Sequence, residues 1–307
     1  MEPLDATTLR SRHYNATITW MWRVHDDLML LRVCPDGPLP SFKPGQYAAL
    51  GLGYWEQRVE DCEPEEHPED RRADLARRAF SISAKVLDSD GTRLLEPALE
   101  DTLEFYVALV RYSEEGKPSP AFTPRLFHLE EGDRIWLGPK ITGHYTLDTL
   151  PPDADILFCA TGTGEAPHNR MIRHLLHTGH RGRIASVVCC RRQPDLAYLE
   201  VHEKLIRLYP RYSYLPMTTR DMPGGRRYIQ DIILSGELEK KTGIPLDRQR
   251  VHVYLCGNPA MIGIPREVGG RTVYPKTVGI IEILENCYGF RADRRGAPGN
   301  VHYEKYW

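Results

Sequence analysis

Two successive domains are predicted for this chain. An antiparallel β-barrel, closed or partly closed, is expected over residues 1–150, and an α/β doubly wound parallel sheet over residues 151–307. Three observations predict this. As far as Tyr145 the apolar residues alternate with a period of two in many short runs, and helical patterning is scarce. After Pro151-Pro152-Asp153 the rhythm becomes strand, loop, helix, again and again. A length of 307 residues also suits two cores better than one.

Composition narrows the class. With 41% hydrophobic and 27% charged residues, the chain can bury a core and is not a disordered one. A net charge of -2 gives no bulk attraction to nucleic acid. The cysteines show no C-x-x-C and no zinc, iron–sulfur or disulfide spacing, so no metal is expected and free thiols in a reducing cytoplasm are. Met1 to Asp5 has no basic leader segment, and no apolar run is long enough to span a bilayer.

The elements follow in order. Asn15 to Val24 and Leu28 to Val33 read as paired strands around the turn His25-Asp26-Asp27. Another strand starts at the Pro44-Gly45 turn and runs to Leu52. Glu56 to Ala76 is an acidic insertion, read as a solvated loop with a short helix before Arg77. Arg78 to Ser83 is a strand, and so is Thr102 to Val110, with Leu103, Phe105, Val107 and Leu109 on one face. Thr123-Pro124 opens a short helix, with Thr123 as its cap. Arg134 to Leu137 is the strand after it. In the second half, strands are expected at Asp155–Ala160, Ile184–Cys190, Tyr212–Met217, Val251–Cys256 and Val301–Tyr303. Helices are expected at about His168–Leu176, Asp195–Leu208, Tyr228–Leu234 and Lys276–Cys287.

Arg78-Ala79-Phe80-Ser81-Ile82-Ser83 carries a cation, an aromatic and two hydroxyls on one strand. That set suits a flat ring with a phosphate tail: Arg78 for a pyrophosphate, Phe80 to stack, Ser81 to bond a ring edge, with Ile82 and Ser83 completing the stretch. A surface strand with a salt-bridging arginine and a core phenylalanine is the other reading. In a doubly wound sheet the ligand lies at the strand C-termini. There, Thr161-Gly162-Thr163-Gly164 follows the first strand, where a dinucleotide pyrophosphate sits, or forms a turn that needs glycine φ angles. Cys256-Gly257 ends the fourth strand in the equivalent place, the cysteine being chemistry or core filling. Arg191-Arg192 and Thr219-Arg220 end the second and third strands, followed by Arg226, Tyr228 and Gln230. Arginines and a tyrosine on one rim suit an adenosine 2′-phosphate, or make an ordinary charged rim.

These residues together resemble the ferredoxin–NADP⁺ reductase family over nearly the whole chain. Arg78-Ala79-Phe80-Ser81 resembles its R-x-[YF]-S flavin motif, and Gly162-Thr163-Gly164-Glu165-Ala166-Pro167 its G-T-G-x-A-P. Cys256-Gly257 with Met261 resembles C-G-x-x-x-M, and Glu304-Lys305-Tyr306-Trp307 the acidic-plus-aromatic ending. Thr219-Arg220 with Gly224-Gly225-Arg226-Arg227-Tyr228-Ile229-Gln230 resembles the S-R…G-G-K-x-Y-x-Q signature for the 2′-phosphate. Each motif is short, and the first four of them in series at compatible spacing carry the resemblance.

The resemblance implies FAD on the barrel and NADP(H) on the α/β domain, with hydride passed to the flavin and single electrons exchanged with ferredoxin or flavodoxin. Arg78 would bind the FAD pyrophosphate, Phe80 stack on the isoalloxazine, Ser81 bond near N5, and Thr123 cap a helix under the pyrophosphate. Cys256 would lie beside the nicotinamide, Glu304 at the flavin edge, and Tyr306 over the flavin, with Trp307 on a neighbouring ring. Ser81, Cys256, Glu304 and Tyr306 are thus the expected catalytic set. A monomer is expected. Glu165 and His168 depart from the family, which commonly has an aliphatic and an aromatic there; a carboxylate at that place must point away from a phosphate or pair with a neighbour such as Arg170. An electron-transfer subunit of a larger complex is the related alternative, disfavoured because Cys287 is the only cysteine after Cys256. A non-catalytic NADP-sensing module is the alternative from another class.

Overall fold

The computed structural model describes residues 5–65, 71–221 and 225–306. The chain divides into two compact units, Met1–Ala84 with Pro97–His144, and Lys85–Glu96 with Tyr145–Trp307.

The first unit opens with α1 (Ala6–His13), started by Asp5, whose side chain accepts from Thr8 N at 2.8 Å. Then come β1 (Ala16–His25), β2 (Leu28–Pro35), β3 (Tyr47–Gly53), β4 (Leu75–Ser81), β5 (Leu103–Ala108), the five-residue α2 (Phe122–Leu126) and β6 (Arg134–Thr142). The sheet order is β4-β3-β6-β1-β2-β5, and each neighbouring pair is antiparallel. An isolated bridge between Ser83, two residues past β4, and Glu104 of β5, with Ser83 N donating to Glu104 O at 2.8 Å, brings the two edges of the sheet together as a partly closed barrel. The alternating residues Ile18, Met29, Leu31, Leu50, Phe105 and Ile135 fill its interior.

The acidic insertion is not simply a solvated loop. Glu56 is buried, accepting from Arg10 Nε at 2.8 Å and from the Tyr14 hydroxyl at 2.9 Å. Glu65 receives both terminal nitrogens of Arg125, at 2.5 and 2.7 Å. Burying Arg125 in α2 requires that partner. The strand of β4 already begins at Leu75, ahead of Arg77. Residues 66–70, including Glu66, Glu69 and Asp70 of the acidic run, lie outside the described residues.

The second unit is built on β7 (Asp155–Thr161), α3 (Glu165–His177), β8 (Ile184–Cys190), α4 (Leu199–Leu208), β9 (Tyr212–Thr218), α5 (Ile229–Leu234), α6 (Glu237–Thr242), β10 (Val251–Gly257), α7 (Pro259–Ile262), the hairpin β11 (Arg266–Val268) and β12 (Arg271–Val273), α8 (Ile280–Tyr288) and β13 (Val301–Lys305). β7, β8, β9, β10 and β13 form one parallel sheet in the order β13-β10-β7-β8-β9. One sheet face, with Leu157, Val187 and Val253, packs on Ile232, Ile281 and Leu284 of α5 and α8. The other carries Phe158, Ser186, Tyr212, Tyr214 and Tyr254, and includes the ring contacts with His168 of α3 and His202 of α4. A doubly wound sheet is therefore present, as expected.

Boundaries moved where local chemistry competed with periodicity. α3 starts at Glu165 rather than near His168, because a single 3₁₀ turn over Gly162–Gly164 feeds straight into it. α4 starts at Leu199, since Gln193–Asp195 forms its own 3₁₀ turn, held by Asp195 accepting from Arg192 N at 2.9 Å.

Candidate functional site

In the second unit the strand order reverses at β7: β8 and β9 extend to one side, β10 and β13 to the other. The crevice of such a sheet lies between the C-terminal ends of the two strands at the reversal, here β7 and β10. Their exit turns touch through backbone. A Cβ on Gly164 would lie 2.3 Å from Cys256 O, and one on Gly257 (φ +123°) 2.3 Å from Thr161 Oγ1. Asn258 N donates to that same Oγ1 at 2.7 Å. Gly162 is required for another reason: its φ is +51°, while the space beside it is open. Thr161, Gly162, Thr163, Gly164 and Gly257 thus form one cradle of bare backbone, and no side chain caps the helix end at Gly164. That arrangement suits a phosphate group.

The rim forms next to it. Thr219 N donates to Cys190 O and Arg220 N to Arg191 O, both at 3.0 Å, so the ends of β8 and β9 run on side by side. This brings Arg191, Arg192, Thr219 and Arg220 together, with all three arginines exposed. Arg226 and Tyr228 are exposed near the start of α5, and Tyr228 is its cap residue. Gln230 is turned elsewhere: its amide donates to Val278 O at 3.3 Å. Arg227 pairs with Glu237. Pro223 and Gly224 lie outside the described residues.

At the far side of the cradle, the register places Cys256 beside Glu304 and Gly257 beside Lys305. Tyr306 N donates to Gly257 O at 3.1 Å. Burial, then the Glu304 carboxylate, push the Cys256 thiol well above its ordinary range, against an opposing hydrogen bond with the Tyr306 side chain. Tyr145, fully buried, is raised well above its ordinary range by burial first, with Cys256 and Glu304 adding to it. Cys256, Glu304 and Tyr306 are brought together; the thiol is covered rather than open. Trp307 lies outside the described residues.

In the first unit, Arg78 is exposed on β4, and Arg77 next to it lies 4.5 Å over the Trp136 ring. Phe80 is half-buried, its ring 5.4 Å from that of Phe122 in α2. Ser81 is buried at the end of β4. Ile82 is entirely within the barrel core and Ser83 serves the closing bridge, so neither side chain is open to a ligand. Thr123 is corrected. The cap of α2 is Ala121, which makes no side-chain bond, and Thr123 lies inside the helix with its Oγ1 accepting from Val110 N at 3.1 Å. The helix starts two residues earlier than expected, with Phe122 as its first residue and buried in the core, so Pro124 is its third.

Sequence reasoning missed a buried polar layer on the α3 side of the parallel sheet. Glu165 Oε1 lies 2.9 Å from His202 Nε2, and the Tyr214 hydroxyl donates to it at 3.3 Å. His202 Nδ1 lies 2.7 Å from the Tyr212 hydroxyl. Glu165 therefore points away from the cradle, pairing with His202 rather than the anticipated Arg170. His168 Nε2 shares a hydrogen bond with the Tyr145 hydroxyl at 2.7 Å, and burial pushes this imidazole down to about 3. Further along, His302 Nδ1 lies 2.8 Å from Asp293 Oδ2, and His302 Nε2 is 3.1 Å from His252 Nδ1. One signal was available: Tyr198, His202 and Leu205 recur at helical spacing on a buried stripe, with a histidine among apolar neighbours.

Residues 158–267 match the family model described as an oxidoreductase NAD-binding domain. A flavodoxin/ferredoxin–NADP reductase from Buchnera aphidicola subsp. Baizongia pistaciae is 24% identical over 91% of this chain and 93% of its own length. The protein of the same description from Escherichia coli K12 is 27% identical over 73% of this chain and 77% of its own. Among solved structures, a ferredoxin NADP⁺ reductase from Neisseria gonorrhoeae with bound FAD and NADP is similar in fold, with a TM-score of 0.67, 19% identity, and coverage of 95% of this chain and 98% of that one. In sequence the chain is thus similar to flavodoxin/ferredoxin–NADP reductases, and in fold it shares their pairing of an antiparallel sheet with a doubly wound parallel sheet.

Proposed function

We propose that this protein is an oxidoreductase that carries electrons between NADPH and a one-electron carrier, ferredoxin or flavodoxin, with FAD as its resident cofactor. The observation that carries the reading is the backbone cradle where Gly164 and Gly257 leave room for no side chain. A pyrophosphate fits such a surface, and the exposed Arg191, Arg192 and Arg220 beside it fit a second phosphate on the same nucleotide. Arg226 and Tyr228 would extend that rim toward the adenosine. Cys256, Glu304 and Tyr306 would take the nicotinamide end.

On the barrel, the exposed Arg78 fits a phosphate tail, and Phe80 and Ser81 would hold the flavin ring next to it. The α2 end contributes less than expected, since the helix is only five residues long and Thr123 and Arg125 are both engaged. Flavin and nicotinamide, when bound, supply the redox chemistry; the chain orients them and excludes water. Relatives named flavodoxin/ferredoxin–NADP reductases support the choice of carrier. No helix among the described residues is long and apolar enough to cross a membrane. All seven cysteines are free thiols, which suits a reducing cytoplasm.

Two measurements test this. The purified protein should show a flavin absorption spectrum and release FAD, not FMN, on denaturation. It should also reduce ferredoxin or flavodoxin with NADPH in strong preference to NADH. A colourless protein that still binds NADPH would instead favour a sensing module.

A further inference from the structure

The buried layer behind the cradle has no role in the chemistry described so far. Glu165 is the first residue of α3, immediately after the Gly162–Gly164 turn, and it is 0% exposed. Burying a carboxyl group is costly, and an apolar side chain would fill the same space without that cost. Glu165 Oε2 has no hydrogen-bond partner among the described residues, so the group is not optimised for stability. What the carboxyl does have is direction. Its Oε1 is bonded to His202 of α4 and to Tyr214 of β9. The His202 ring is stacked on Tyr214 at 4.1 Å, and its other nitrogen is bonded to Tyr212 of β9. Hydrogen bonds at both imidazole nitrogens leave the ring one orientation, which apolar packing alone would not impose. β9 is also the strand that runs on into Thr219-Arg220 and pairs there with Arg191. One network thus ties the end of the phosphate cradle to the strand that carries the basic rim.

We propose that Glu165 is a positioning residue for cofactor discrimination: it fixes the spacing between the cradle and the rim at the distance separating the 5′ and 2′ phosphates of a single nucleotide. The inference rests on the dinucleotide reading above. Its physical basis is that a ligand joined covalently across two subsites gains from both only if their spacing matches its own. A ligand that occupies the cradle alone is indifferent to that spacing.

Adenosine 2′,5′-bisphosphate spans both subsites and 5′-ADP only the cradle, so their affinities, measured by calorimetry on the full-length holoprotein, separate the effects. Glu165→Leu should weaken the bisphosphate about tenfold or more and change 5′-ADP less than about twofold, with the NADPH loss falling in KM rather than in kcat. Glu165→Gln keeps the acceptor for His202 and should preserve the wild-type ratio between the two ligands. Tyr214→Phe removes the 3.3 Å bond but keeps the stacked ring, and should shift the ratio in the same direction by a smaller factor, which serves if the leucine variant does not fold. Equal losses for both ligands, an unchanged ratio in the leucine and phenylalanine variants, or a glutamine variant as impaired as leucine would overturn the proposal. If the wild type itself binds both ligands equally, the NADPH preference fails first, and this role for Glu165 fails with it.

Discussion

Arg125 shows what a single buried charge demands. Its side chain is 2% exposed, and its two terminal nitrogens are held by Glu65, by Ala121 O at 2.7 Å and by Tyr54 O at 3.1 Å, while Nε has no partner among the described residues. Removing one partner of a buried pair leaves the other charge uncompensated, which costs about 3–5 kcal/mol. Glu65→Leu should therefore lower stability by about that amount in urea unfolding, and the double variant Glu65→Leu/Arg125→Met should recover most of it. Deleting residues 63–65 would likewise remove Glu65 and leave Arg125 without its carboxylate partner. His168 makes a second prediction at this scale. Its folded-state value is about 3, against 6.5 for an ordinary imidazole, because burial disfavours the charged ring. A depressed value means the unfolded chain binds the extra proton between those limits. The neutral ring's contribution is thus intact above about pH 6.5, declines as pH falls, and is gone below about pH 3, with a slope of at most ~1.4 kcal/mol per pH unit. His168→Gln keeps a partner for Tyr145 without titrating. The difference in unfolding free energy between wild type and variant should be flat above pH 6.5 and should move in the variant's favour below it; a pH-independent difference would mean the ring is not held neutral.

At the scale of elements, the exit turns of β7 and β10 act as one unit because each is close to the other's backbone. Gly257→Ala would put a methyl group 2.3 Å from Thr161 Oγ1 at a φ of +123°, and backbone strain of this kind costs about 1–3 kcal/mol. The turn must then shift, so NADP⁺ affinity should fall at least tenfold in a titration while Tm falls by a few degrees. Unchanged affinity would mean the cradle is not the phosphate site. The hairpin β11–β12 is a contrasting element. Its strands are exposed, and Glu267 accepts from Thr272 Oγ1 at 2.8 Å across the ladder. The segment around Pro265–Pro275 gave no sequence pattern long enough to identify it, since three-residue strands fall below what alternation can reveal.

At the scale of the whole molecule, ligand binding and folding are linked. A ligand at a hundred times its Kd that binds only the folded state adds about 2.7 kcal/mol of stability. NADP⁺ should accordingly raise Tm, and NAD⁺ at equal concentration should raise it far less. Arg220→Ala should bring the two shifts together, because only NADP⁺ carries the phosphate that this exposed guanidinium would meet. Equal shifts in the wild type would place Arg220 in an ordinary charged rim. FAD supplies the parallel check: Arg78→Ala should weaken its retention by about 1.5–3 kcal/mol, the worth of one charged hydrogen bond.

The sequence by itself determined the class of each half. Alternation with a period of two is enough to mark Leu28–Val33 or Leu103–Val110 as strands, and unbroken apolar runs such as Ile156 to Cys159 mark strands buried on both faces. It also named the cradle, because a tight approach of two backbones requires glycine and glycine is visible as such. Tertiary structure alone decided the partners. Which carboxylate meets Arg125, and which histidine meets Glu165, depends on residues 60 and 37 positions away in the chain. Local pattern carries no information about a hydrogen bond over that separation. The same limit explains Thr123, whose sequence context is that of a cap, yet whose hydroxyl accepts from Val110 N, 13 residues away, once the chain has folded. Short-range chemistry is written into the order of residues, whereas a buried polar group finds its partner only when the chain has closed around it.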